Sequence, residues 1–275
     1  MALVTFKGIL PQARRDGRAV GAFNVANYET AVAVVEAAEA ERQPVIIQLY
    51  QRLMDDRHVG ALVALLRRLA EDCPMPVAVH LDHGASVEQL RRAIDIGFSS
   101  VMFDGSTLPW EENLALTQEA AALARKAGVS LEAEIGHVAM GDATALSTPD
   151  EAGRFAAATG VDTLAVSVGT AHGYYKEEPR IDLELAAAIG RRVAAPLVLH
   201  GGSGTPMEMV KGTIRAGFAK INVATEFQHC FQLALEREMG KQQGKFLPFD
   251  KLAVPAVASA TEFLRGLIRA FANPR

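Results

Sequence analysis

The chain has 275 residues, 49% of them hydrophobic and 22% charged, which is enough apolar material for one large buried core. A net charge of −4 offers no basic footprint, so neither nucleic acid nor an anionic membrane is an expected partner. No signal-like segment and no run of roughly 18 apolar residues is visible, and Cys73 and Cys230 are too few for a disulfide framework, so a cytoplasmic protein is expected.

Apolar strand-like runs alternate with amphipathic helical stretches along the chain. The first strand is expected over 21–25 with its helix over 28–40, then a strand over 44–50 and a helix over 58–71. The third pair is 77–81 with 87–96, the fourth 100–103 with 110–127, and the fifth 130–134 with 149–159. The sixth is 163–168 with 183–193, the seventh 196–199 with 207–216, and the eighth 220–223 with 226–238. The segment 242–255 reads as irregular, and a final helix is expected over 260–271 with Ser259 as its N-cap. Continuous runs such as Val45-Ile46-Ile47 fit strands buried on both faces of a parallel sheet. Eight strand–helix pairs in about 240 residues predict a (β/α)8 TIM barrel, with residues 1–275 as a single domain. A doubly wound sheet is the competitor, but no Gly-x-Gly-x-x-Gly turn follows the first strand.

Three histidines follow strand ends: His83 after the third strand, His172 after the sixth and His200 after the seventh. Imidazole is the commonest protein ligand for zinc, and three protein ligands with one open position make a catalytic site. Three unrelated core histidines are the alternative, and their equivalent positions argue against it. Asp82 and Asp104 end the third and fourth strands, and Glu132 and Glu134 alternate along the fifth, so both point to one side. A carboxylate buried inside a barrel needs a metal or cation partner. Asp82, directly before a candidate ligand, suits proton transfer. Gly201-Gly202-Ser203-Gly204 and Asn222-Val223-Ala224-Thr225 follow the seventh and eighth strands, where barrels often cradle phosphate on backbone N–H groups. His80 and His137 receive no assignment, and His58 and His229 read as helix-surface residues.

These pieces resemble the class II, zinc-dependent fructose-bisphosphate and tagatose-bisphosphate aldolases. The matching segments are Ala22-Phe23-Asn24-Val25, His80-Leu81-Asp82-His83-Gly84, Glu132-Ala133-Glu134-Ile135-Gly136, Gly169-Thr170-Ala171-His172-Gly173, the His200 loop and the Asn222 segment, in family order. The resemblance implies a carbon–carbon lyase of carbohydrate metabolism that releases dihydroxyacetone phosphate and an aldehyde from a phosphorylated sugar. It implies zinc on His83, His172 and His200, and Asp82 moving the proton on the C4 oxygen. It implies substrate binding by Asn24, Gly173, Gly201, Gly202, Ser203, Asn222, Val223, Ala224 and Thr225. Asp104 and Glu134 match ligands of a second divalent position, and a monovalent cation, Na⁺ or K⁺, is expected near the phosphate. Family members form homodimers or homotetramers. Cleavage leaves an enediolate, whose charge a Lewis acid can spread. A Schiff-base lysine at a strand end is not evident, since Lys176 lies in a loop and Lys220 opens the eighth strand.

Three segments depart from the family pattern. The fifth loop, 136–147, is short and poorly acidic, with Asp142 where a proton-transferring glutamate is usual. Gln48-Leu49-Tyr50-Gln51 replaces a small serine-containing segment, and Pro248-Phe249-Asp250-Lys251 replaces a basic one. Both regions serve a distal phosphate in bisphosphate aldolases, so an acceptor lacking that phosphate is expected. A non-catalytic aldolase-like subunit, or a metal-dependent isomerase or hydrolase on the same barrel, are the competing functions.

Overall fold

Eight short runs of β-branched and aliphatic residues form strands because neither face of each run has to meet water. The computed structural model describes residues 3–138, 143–173 and 179–274, with the backbone alone at 143–145. The barrel strands are β1 (Val20–Asn24), β2 (Val45–Tyr50), β3 (Val77–Gly84), β4 (Ser100–Phe103), β5 (Ser130–Ile135), β8 (Thr163–Val166), β9 (Leu197–Leu199) and β10 (Phe218–Val223). All pair in parallel and close in the order β1-β10-β9-β8-β5-β4-β3-β2. A small antiparallel hairpin, β6 (His137–Val138) with β7 (Ala143–Ala145), stands on the loop after β5. The predicted single-domain (β/α)8 barrel is the observed fold.

Helices follow the strands in turn: α2 (Tyr28–Glu41), α3 (Val59–Asp72), α4 (Val87–Ile96), α5 (Trp110–Ala127), α6 (Pro149–Thr159), α7 (Leu183–Arg192), α8 (Met207–Arg215) and α9 (Thr225–Gln242). Side-chain caps fix several starts. Asn27 and Thr148 form capping boxes with Thr30 and Glu151, and Ser86 and Asp182 accept N–H bonds at α4 and α7. No helix among the described residues is long and apolar enough to cross a membrane.

Two elements differ from expectation. A short helix α1 (Leu10–Arg15), preceded by a 3-10 turn at Phe6–Gly8, closes the bottom of the barrel. Phe6, Ile9 and Leu10 pack there with Val20, Ile46, Ala78 and Ala219 from the strands. Arg14 locks this plug by donating to the Gly190 and Val193 carbonyls at 2.8 and 2.7 Å. The last helix, α10, runs Phe249–Ala272, so it starts well before 260, and Ser259 lies inside it rather than capping it. Pro255 removes one helix N–H, but Ala253, Ala256, Ala260, Leu264, Ile268 and Phe271 bury a continuous face. That face, against α2 and α9, outweighs the local cost of the proline.

Candidate active site

The strand register sorts the inward side chains into layers, as the period of two requires. Tyr50 stands beside Asp82 and Gln48 beside His80 across β2 and β3, while Val20 pairs with Lys220 across β1 and β10. The upper layer opens into a cavity of about 830 Å³ at the C-terminal ends of the strands.

His83, His172 and His200 converge in that cavity. Their candidate ligand atoms lie within 4.8 Å of one another, and His200 Nδ1 is 3.1 Å from His83 Nε2. Four ligands at 2.0–2.1 Å from a tetrahedral zinc would stand about 3.4 Å apart. The set therefore fits such an ion, and His172 Nε2, buried with no hydrogen-bond partner, points to the same conclusion. The other nitrogens are taken: His83 Nδ1 donates to Asp104 Oδ2 at 2.7 Å, and His200 Nε2 to Glu132 Oε1 at 2.9 Å. Carboxylates on the far nitrogens orient the rings and raise their basicity. His83 also holds φ at +56°, a left-handed conformation rare outside glycine, beside a register shift in β3.

The electrostatics separate the three rings. Burial would lower His83, but Asp82, Asp104 and Glu134 outweigh it and push the imidazole up to about 10. Burial and the neighbouring His83 lower His172 to about 4, and hold His200 well below its ordinary value. Burial, then Asp104, raises Glu134 to about 8. The same pocket that concentrates carboxylates around His83 is one in which a cation is favoured.

Asp82 is 2% exposed and held from both sides. Asn24 Nδ2 donates to its Oδ2 at 2.8 Å, and Asn222 Nδ2 approaches Oδ1 at 3.4 Å. Gln48 Nε2 in turn donates to Asn24 Oδ1 at 2.7 Å, so this residue of the departing segment supports Asn24 and is buried away from the cavity. Asp82 Oδ1 lies 4.0 Å from His83 Nε2, close enough to act on a hydroxyl held among the histidines.

Asp104 and Glu134 join His83 in a second cluster able to hold a metal ion. Gly173, Gly201, Ser203, Asn222, Ala224 and Thr225 border the cavity. Ser203 Oγ accepts from the Ala224 and Glu226 N–H groups at 3.1 and 3.4 Å, which ties the two loops together. Gly202 and Val223 sit differently: the Gly202 N–H donates to the Asn222 carbonyl at 2.9 Å, and the Val223 side chain belongs to the core. Gly201 must be glycine, because a Cβ there would meet the Ala171 carbonyl oxygen at 2.3 Å. Asp142 and Lys176 lie outside the described residues.

Several residues were placed differently by the sequence. Lys220 is the third residue of β10 rather than its first, and it lies in the lower part of the barrel interior, where its Nζ is 2.9 Å from Glu132 Oε2. No lysine borders the cavity among the described residues, so none there is placed for a Schiff base. His229 borders the cavity rather than a helix surface, as do Arg52, Gln228 and Gln232. His137 Nδ1 lies 3.2 Å from Ser106 Oγ, whose proton goes to Asp104 Oδ1 at 2.7 Å, extending the His83–Asp104 pair toward the mouth. Asp250, in the first turn of α10, is not among the cavity residues.

The family model for class-II fructose-bisphosphate aldolase matches residues 4–273. A 6-phospho-5-dehydro-2-deoxy-D-gluconate aldolase of Bacillus velezensis is 39% identical, the match covering 99% of this chain and 97% of the relative. A fructose-bisphosphate aldolase of Staphylococcus epidermidis is 38% identical, covering 98% of each. Among solved structures, the YdjI aldolase of Escherichia coli K12 superposes with a TM-score of 0.88 at 31% identity, covering 98% of this chain and 97% of that one. The chain belongs to the class II fructose-bisphosphate aldolase family, whose members are carbon–carbon lyases.

Proposed function

We propose that this chain is a zinc-dependent aldolase that reversibly cleaves a ketose 1-phosphate to dihydroxyacetone phosphate and an aldehyde. The observation that carries this reading is the convergence of three imidazoles, one with an unpartnered buried nitrogen, on a cavity that also holds Asp82. His83, His172 and His200 would hold the zinc, and Asp104 and Glu134 would share a second divalent ion with His83. When bound, the zinc supplies a Lewis acid for the charge that develops on the ketose oxygens. Asp82, fixed by Asn24 and Asn222, takes the proton from the C4 hydroxyl as the carbon–carbon bond breaks, and returns it in condensation.

The loops around Gly173, Gly201 to Ser203 and Asn222 to Thr225 hold the phosphate on backbone N–H groups, with a Na⁺ or K⁺ ion beside it. A dependence of KM on either salt tests that ion. Asp142 is assigned the proton at the carbon of the three-carbon ketone fragment. The relatives differ in the far end of the substrate: one name gives a bisphosphate, the other a gluconate with one phosphate. Poor turnover of fructose 1,6-bisphosphate is the expectation that follows from Tyr50 and Gln51 in the cavity wall.

Association into a homodimer or homotetramer in the cytoplasm belongs to the same reading. Exposed Met239, Phe246, Phe249 and Val254 on or beside α9 and α10 offer an apolar surface for it, and light scattering measures the outcome. The decisive experiment is release of dihydroxyacetone phosphate from ketose 1-phosphates before and after chelation. Metal-stripped protein should lose about 10³-fold or more in rate, several kcal/mol of transition-state stabilisation, and recover it on adding Zn²⁺. Full turnover without metal would sink the proposal.

A further inference from the structure

We infer that His137 is a substrate-binding residue whose Nε2 accepts a hydrogen bond from a hydroxyl of the aldehyde half. The inference rests on the aldolase reading above and gives a role to a histidine that the motifs left without one.

The imidazole is held in place before any substrate arrives. Gly136, at φ +67°, turns the chain as it leaves β5. His137 then opens β6 and pairs with Ala145 of β7. The next N–H, that of Val138, donates to Glu134 Oε1 at 3.3 Å, and the Val138 side chain is buried. The backbone is therefore tied down on both sides of the residue, and the ring borders the cavity.

The direction of the hydrogen bonds fixes which ring nitrogen carries the proton. An ionised carboxylate only accepts. Asp104 Oδ2 takes the His83 N–H at 2.7 Å, and Asp104 Oδ1 takes the Ser106 backbone N–H at 3.1 Å and the Ser106 hydroxyl at 2.7 Å. With its own proton committed to Asp104, Ser106 Oγ can only accept at its 3.2 Å contact with His137 Nδ1. Nδ1 is thus the N–H of the ring, and in the neutral imidazole Nε2 bears the lone pair. Nε2 has no hydrogen-bond partner among the described residues.

A neutral acceptor calls for a donor. Phosphate and carboxylate oxygens present acceptors at neutral pH, whereas a sugar hydroxyl presents a proton. Three hydrogen bonds in series separate His137 from His83, which sets the ring outward of the converging histidines and toward the mouth. It stands on the loop after β5, away from the loops after β8, β9 and β10 assigned to the phosphate. Asp82, held by Asn24 of β1 and Asn222 of β10, serves the C4 hydroxyl from another wall. The groups left for His137 are those on the carbons beyond C4, which the aldehyde supplies.

The test is condensation of dihydroxyacetone phosphate with paired aldehydes by the metal-loaded enzyme. Glycolaldehyde is compared with acetaldehyde, and 3-hydroxypropanal with propanal, so each pair differs by one hydroxyl. The kcat/KM ratio within at least one pair should fall by about 10-fold in His137→Phe, the range of one neutral hydrogen bond, and chiefly through KM of the hydroxy aldehyde. His137→Gln, whose amide oxygen can accept, should restore part of it. Taking each ratio within one preparation cancels the intrinsic reactivity of the aldehydes and any loss of folded protein. Zinc content and the uptake of solvent deuterium into dihydroxyacetone phosphate without aldehyde are read alongside. Ratios in both pairs that match the parent would overturn the inference, as would a drop in zinc content or deuterium uptake as large as the change in ratio, since His137 would then act through Asp104 or on the ketone half. Each of these outcomes leaves the aldolase reading intact. No condensation by the parent enzyme with any aldehyde would overturn both.

Discussion

The barrel interior has two polar storeys that look alike in composition and behave differently. The lower storey holds His80, Glu132 and Lys220, all fully buried. Lys220 covers both oxygens of Glu132, at 3.2 and 2.9 Å, and Phe6 closes the space below, with its ring 4.7 Å from His80. The upper storey holds Asp82, Glu134 and the three converging histidines, and its floor is the top of that ion pair. There His172 Nε2, Glu134 Oε2 and Asn222 Oδ1 have no hydrogen-bond partner beside an open cavity, whereas in the closed lower storey the atoms without one, His80 Nε2 and Glu132 Oε2, face each other at 3.7 Å, with Lys220 Nζ 2.9 Å from that carboxylate oxygen. A buried charge matched by a buried countercharge is architecture, whereas buried polar atoms left unmatched beside a cavity await a ligand. His200 joins the two, with Glu132 on one nitrogen and His83 facing the other.

The largest effect that would break this contrast is on the upper storey. Asp82→Ala should lower kcat by about 10²–10⁴-fold while zinc content and phosphate affinity persist, as measured by steady-state kinetics and elemental analysis. Loss of zinc along with rate would make Asp82 a ligand or orienting group. In the lower storey, Lys220→Met should instead cost about 3–5 kcal/mol of stability in denaturant unfolding, because it strands the Glu132 carboxylate. A variant as stable as the parent would show that the pair is not structural. Glu132→Gln tests the link between storeys. It should weaken zinc binding by about 10- to 100-fold in a competition titration, with a smaller change in the unfolding midpoint.

The smallest effect concerns pH. In metal-stripped protein the folded pKa of His172 is lowered to about 4 from an unfolded 6.5. Between those values the unfolded chain binds the proton and the folded one does not. The stability from this group is therefore present above pH 6.5 and lost as pH falls through about 4. Glu134, raised to about 8, works in the opposite sense, its contribution being lost as pH rises toward 8, so the comparison must be a difference. Melting temperatures of the parent and of His172→Asn, taken from pH 7 to 4.5, should converge as pH falls. Parallel curves would show that His172 titrates as in the unfolded chain.

Much of the fold was written in local pattern. Strand runs and helix periods depend on near neighbours, so eight units and a closed barrel were legible, as was the placement of His83, His172 and His200 at strand ends. Asp82 could be picked out because it immediately precedes a ligand candidate. The start of α10 was not legible, since Pro255 signals a break locally and only the buried face against α2 and α9 overrides it. Nor was the Phe6 plug, because a short N-terminal turn carries no period of its own.

What the sequence alone determined is the list of chemical groups and the end of the barrel that carries them, because alternation along a strand fixes which residues share a side. Which partners those groups take was decided only by closure of the barrel. Closure brings Glu132 to Lys220 across 88 positions of chain, and His83 to His200 across 117. The same closure put His229 on the cavity rim, where its local sequence suggested a helix surface, and brought Arg52 there as well. Strand tilt and register set those distances, and both are properties of the whole ring of eight strands rather than of any one segment.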